Sequence, residues 1–194
     1  MTFGSSAPVE FSGDVKIKCV CYECNHGWMS DLENRIKPNV SGMVHDLSVS
    51  LTIEDQRGIA LWAVKTAMVL QGAIAQGRTR FYTTQECEQL RVSSLIPERT
   101  LIWVGRLSES ALFAAGTHIW QQDNLGVTHS GHAATFIVGY LIFQVLSIRV
   151  GPQYYGKAAR TVCRDGPWDD SLFGIYPPNQ TVESVYETGL LPQP

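Results

Sequence analysis

The feature that most constrains the fold is a change in the hydrophobic pattern near residue 100. Before it, the segment that starts at Thr52 carries apolar or small side chains every three or four residues, at Ile59, Trp62, Ala63, Thr66, Val69, Leu70 and Ala73. This spacing is typical of one face of a helix. Thr52 is a suitable N-cap, Glu54 and Asp55 favour the positive end of the helix dipole, and Gly77 is a suitable stop.

After residue 100 the sequence predicts strands. Residues 100–105 and 111–121 predict two strands, and residues 123–126 have the composition of a turn. Residues 135–150 predict one long strand, or two with a kink at Gly139. His129 and His132 flank Ser-Gly and are predicted to lie in a mobile hairpin turn. Helices followed by antiparallel strands indicate an α+β fold.

The remaining segments carry weaker patterns. Pro38 predicts a break between two short helices, over 31–35 and 40–46. A third helix is expected between Thr84 and Pro97, with Cys87 on it. Residues 1–14 are predicted to be a loose tail, 15–18 a short strand, and the proline-rich residues 151–194 mostly loop.

Three of the five cysteines, Cys19, Cys21 and Cys24, lie within six residues. An odd total and a tight cluster favour metal or redox chemistry over a disulfide framework. Cys21 and Cys24 have the spacing of a zinc knuckle, although a pair of free or redox-active thiols is the alternative. Structural zinc normally takes four ligands. The candidates for the missing ligands are Cys19, His26, His45, His129 and His132.

Charge and hydropathy exclude several classes of protein. The net charge is −3, and residues 1–80 carry eight basic and eight acidic side chains, so a strongly basic nucleic-acid binder is excluded. The N-terminal residues lack the pattern of a signal peptide. The apolar run over residues 133–148 is shorter than the roughly 20 residues of a membrane span. A cytoplasmic protein without a membrane partner is therefore expected.

The stretch from Val20 to Glu33, VCYECNHGWMSDLE, resembles the second half of an HNH-endonuclease-like zinc finger. Such domains often end in Cys-x-x-Cys-Asn, which matches Cys21, Cys24 and Asn25. The Gly-Trp-Met-x-x-Leu-Glu continuation and the following helix are similar to a bacterial and phage group of HNH-like proteins. This resemblance covers about residues 19–70. It implies structural zinc on the cysteines and a lineage of metal-dependent nucleic-acid phosphodiester hydrolases.

The chain departs from the HNH pattern in its catalytic half. In that family an earlier Cys-x-x-Cys completes the zinc site, and a histidine in an Asp-His or Glu-His pair is the general base beside a catalytic divalent metal. This sequence contains neither element. We therefore predict no catalytic residue, and a divalent metal only in a full-length relative. Read this way, the chain is truncated, begins at a late start codon, or is degenerate, and is an inactive HNH-like protein with weak DNA binding at most.

The alternative to this lineage is a non-catalytic zinc-binding interaction module. In it, two chains would form a homodimer and share one zinc ion through Cys21 and Cys24. Under either hypothesis the expected organisation is the same. Residues 1–50 form a partial HNH-like zinc-knuckle region, and residues 51–194 form an α+β domain of helices, antiparallel strands and a proline-rich tail.

Overall fold

The structure is a computed structural model that describes the backbone of residues 2–5, 9–11, 20–74, 80–122, 128–149 and 172–176. Side chains are described for residues 20–72, 80–120, 129–149 and 174–176. The helices in these ranges are α1 (Tyr22–His26), α2 (Trp28–Val44), α3 (Ile53–Ile74) and α4 (Thr84–Ser93). The strands are β1 (Thr2–Ser5), β2 (Val9–Phe11), β3 (Thr100–Gln122), β4 (Thr128–Arg149) and β5 (Leu172–Tyr176). Helices followed by an antiparallel sheet confirm the predicted α+β class.

Strand β3 is the centre of the sheet. Strand β4 pairs with one edge along almost its whole length. The opposite edge pairs with β5 near the start of β3, with β2 further along, and with β1 at the end, all antiparallel. The two strands predicted over residues 100–121 are one strand of 23 residues, with a register shift between Arg106 and Ala111. The predicted kink at Gly139 is confirmed, because this residue lies opposite the shift with a φ of 62°.

This sheet corrects three regions that the sequence predicts as tail, loop or turn. Residues 2–5 and 9–11 are strands rather than a loose tail, and residues 172–176 form a strand within the proline-rich segment. The His129–His132 pair lies inside β4, opposite β3, rather than in a turn. In each case the partner β3 supplies the backbone hydrogen bonds, which a short sequence pattern cannot reveal. The predictions for residues 15–18, 123–126 and Gly77 lie outside the described residues.

Helix α2 continues through Pro38, so the predicted break is wrong. Proline removes one hydrogen bond, to the carbonyl group of Asn34, and both residues are exposed. Water can therefore hydrate that carbonyl. The opposite face of α2 buries Leu32, Ile36 and Met43, which holds the helix together across the proline.

The caps of helices α3 and α4 agree better with the sequence patterns. The Thr52 hydroxyl accepts a hydrogen bond from the N–H of Asp55 at 3.2 Å, as expected for the N-cap of α3. Helix α4 has a capping box formed by Thr83 and Glu86, and ends at Ser94 in the left-handed conformation. No helix in the described ranges is both long enough and apolar enough to cross a membrane.

The main core lies between α2, α3 and one face of the sheet. Trp62 of α3 packs edge-on against Phe136 and Phe143 of β4, with ring centroids 5.6 and 5.2 Å away. These two phenylalanines stack at 4.9 Å across the bend at Gly139. The bend thus brings the two parts of β4 on either side of Gly139 together against Trp62 of α3.

Candidate metal centre

The two knuckle cysteines lie at the start of α1. Cys21 is the N-cap residue, and its sulfur accepts a hydrogen bond from the backbone N–H of Cys24 at 3.2 Å. Cys21 is exposed and Cys24 is half-buried. An N–H donor directed at sulfur stabilises the thiolate, which is the form that binds metal. The structure therefore brings together the two residues that the motif predicts.

Gly27 sets the geometry of the turn that follows. Its N–H donates to the carbonyl oxygen of Glu23 at 2.9 Å. A Cβ atom at this position would lie only 2.7 Å from the same oxygen, so the tight turn between α1 and α2 requires glycine. The turn allows α2 to begin immediately with Trp28, beside the cysteine pair.

Trp28 packs against the main core and lies near enough to Cys24 to lower the pKa of that thiol. The geometry stops short of a hydrogen bond, because the Nε1 atom is buried and has no hydrogen-bond partner within the described part of the chain. A buried donor without an acceptor is costly. A negatively charged sulfur at Cys24 would relieve that cost, in the way that outer-shell donors support metal-bound ligands. No sequence pattern predicts this donor.

The protonation of Cys24 is set by opposing effects. A hydrogen bond with Cys21, followed by burial, raises the pKa of the Cys24 thiol above its ordinary value. The Trp28 N–H and the Arg91 guanidinium act in the opposite direction. Without metal, Cys24 therefore tends to keep its proton. A cation that replaced this proton would be supported by donors that are already in place.

A cavity of about 300 Å³ separates the cysteine pair from α3 and α4. Cys21 and Cys24 line one wall, and Cys87, Glu88 and Arg91 of α4 line another. Cys87, which the sequence places on the third predicted helix, is exposed as a residue. Its sulfur is partly desolvated at the cavity wall, and this together with the Glu86 carboxylate raises the pKa of the Cys87 thiol. The spacing of Cys87 and Arg91 places them on one helix face. No sequence pattern indicates that this face lies across the cavity from Cys21 and Cys24.

The four predicted histidine ligands do not join the cysteine pair. The His26 ring stacks on Tyr22 at 3.9 Å and its Nδ1 hydrogen-bonds the Tyr22 carbonyl, while His45 Nδ1 hydrogen-bonds the Ser41 carbonyl. His129 and His132 lie in β4, and Cys19 is outside the described residues. Among the described side chains, no group of three or more His, Cys, Asp or Glu is placed to hold a metal ion. Of the predicted ligands that the structure describes, only Cys21 and Cys24 lie together, and structural zinc normally takes four.

Comparison of the chain with known protein families, with characterised proteins and with solved structures gives no match.

Proposed function

We propose that this chain is a non-catalytic, HNH-like protein that binds a structural zinc ion through Cys21 and Cys24. The observation that carries the proposal is the arrangement of donors around the pair. The Cys24 N–H donates to the Cys21 sulfur at 3.2 Å, and the buried Trp28 N–H near Cys24 has no acceptor among the described residues. Both donors favour sulfur in the charged, metal-binding form.

The remaining zinc ligands would come from outside the described pair. Cys19 is the nearest candidate in sequence. A second chain is the other, and the presence of only two suitably placed ligands in the described part of the chain favours it. In that arrangement two copies of Cys21 and Cys24 would complete one tetrahedral site. The zinc would then hold a homodimer together instead of a single finger.

Zinc content measured together with solution mass tests this proposal. We expect one zinc ion per chain in a monomer if Cys19 contributes, and one per two chains in a dimer if the site is shared. Cys21→Ser and Cys24→Ser should each abolish stoichiometric zinc, because a hydroxyl replaces a thiolate ligand. Cys87→Ser is the matched control and should keep it. Protein that never retains zinc, or loses it only in Cys87→Ser, would contradict the proposal.

We propose that this HNH-like protein has no nuclease activity. The sequence has one Cys-x-x-Cys and no Asp-His or Glu-His pair, so the general base of that family has no counterpart here. We expect no nicking of supercoiled plasmid in Mg²⁺ or Mn²⁺ above the rate of a Cys21→Ser/Cys24→Ser preparation. Nicking by the wild-type protein that disappears in that double variant would show an active nuclease and overturn this part of the proposal.

A further inference from the structure

The cavity beside the cysteine pair carries a positive charge that the zinc proposal does not use. Lys65, Arg80 and Arg91 line it, against one carboxylate, that of Glu88. Glu88 already accepts two hydrogen bonds from Arg91, from Nε at 2.9 Å and from Nη2 at 2.5 Å, so Arg91 has only its remaining N–H groups to offer a ligand. Lys65 is largely buried and pairs with Glu33 at 2.7 Å. Arg80 is exposed and forms no ion pair with any described side chain.

The rest of the cavity wall is apolar. Met29, Met68, Val69 and Leu90 contribute to it, and methionine side chains adapt their shape to a ligand. A volume of about 300 Å³ lies at the lower end of the range found for small-molecule pockets. An apolar wall bordered by guanidinium groups matches a molecule with a hydrocarbon body and an anionic head.

We infer that this cavity binds a small organic anion, a monocarboxylate with a short hydrocarbon body. Its carboxylate would lie against Arg80 and Arg91, since guanidinium groups match carboxylate geometry in charge-assisted hydrogen bonds. Its hydrocarbon part would cover the methionine and leucine side chains. An inorganic anion would leave that wall exposed to water, and a neutral lipid would not use the cations. The inference is independent of zinc, because it rests on the cations and the apolar wall.

Calorimetric titration with octanoate tests the inference, with acetate and 1-octanol as the matched head-only and tail-only probes. We expect saturable one-to-one binding of octanoate and at least tenfold weaker binding of both controls. Arg80→Ala should weaken octanoate binding about tenfold, and Arg80→Ala/Arg91→Ala should weaken it further. Arg57→Ala, an exposed arginine of α3 that does not line the cavity, should leave it unchanged. Equal binding of octanol, or an affinity unchanged in both arginine variants, would overturn the inference.

A second titration separates this inference from the zinc proposal. Octanoate binding should persist after zinc is removed with a chelator, because the cavity wall and all three cations are unchanged. If the chelator-treated protein keeps its circular dichroism and loses octanoate binding, the carboxylate is held by a metal ion and the inference is wrong. If the treated protein has lost zinc and keeps octanoate binding, both proposals are supported separately.

Discussion

Replacement of Gly139 by alanine is expected to lower the free energy of unfolding by about 3 kcal/mol, through left-handed strain and overpacking combined. Gly139 has a φ of 62°, a conformation that costs an L-residue energy. A Cβ atom there would lie 2.4 Å from the carbonyl oxygen of Val44, at the end of α2. That oxygen belongs to the backbone, so no side-chain rotation can relieve the overlap.

Urea denaturation of Gly139→Ala measures this effect, and Gly174→Ala is the matched control. Gly174 also lies in a strand, but among the described residues its Cβ would meet nothing closer than Trp103, at 3.9 Å. The control should be neutral or stabilised by up to about 1 kcal/mol, because alanine restricts the unfolded chain. Similar denaturation midpoints for the two variants would mean that the bend does not need glycine.

The bend at Gly139 lies against the end of α2, the helix that begins beside the candidate zinc site. The loop after α2 is tied to the register shift of β3 by an ion pair between Asp46 and Arg106. The hydrogen bond with Arg106 lowers the pKa of the Asp46 carboxyl. Helix α2, which begins at Trp28 beside the cysteines, is therefore fixed to the sheet at its other end. Loosening the bend would loosen the helix that supports the candidate zinc site.

Long, periodic elements of this fold could be predicted from the sequence. Helix α3 was identifiable because its apolar spacing persists over several turns and Thr52 and Asp55 mark its start. Gly139 was identifiable as a kink because glycine inside an apolar strand favours a bend. Both signals are local, so they need no knowledge of the rest of the fold.

The elements that were missed depend on contacts distant in sequence. Strands β1, β2 and β5 contain three to five residues, too few for a period of two to stand out. They form because β3 offers an edge. Helix α2 crosses Pro38 because its buried face outweighs one lost hydrogen bond, and the sequence does not show which face is buried.

Part of the candidate site could likewise be predicted from local sequence, and part of it depends on contacts distant in sequence. The Cys-x-x-Cys spacing predicted that Cys21 and Cys24 lie together, since a three-residue separation closes a turn by itself. The cavity could not be predicted, because its walls come from α1, α2, α3 and α4. The donor role of Trp28 depends on Gly27, which folds α2 back next to Cys24.

Acidification from pH 7 to pH 5 is expected to cost the fold about 2 kcal/mol through His132 alone, rising to about 4 kcal/mol at pH 3. This side chain is only 1% exposed, and its Nδ1 has no hydrogen-bond partner within the described residues. Burial, with a smaller contribution from His118, lowers the pKa of His132 to about 3. The unfolded chain takes up this proton near pH 6.5, whereas the folded chain stays neutral until about pH 3. The stability that neutral His132 contributes is therefore fully present above about pH 6.5, and it is lost as the pH falls from there toward 3.

Urea denaturation between pH 7 and pH 5 excludes most carboxylate effects, because carboxylates in the unfolded chain remain mostly ionised in that range, and the variant then separates His132 from the other histidines. In His132→Gln the fall in unfolding free energy should shrink by about 2 kcal/mol, whatever the variant's stability at pH 7. Gly174→Ala is the control, because it removes no titratable group. Its pH dependence should match the wild-type protein. An unchanged slope in His132→Gln would mean that the folded protein hydrates or protonates His132, and that the aromatic cluster of Phe81 and Tyr82 around it is open to water.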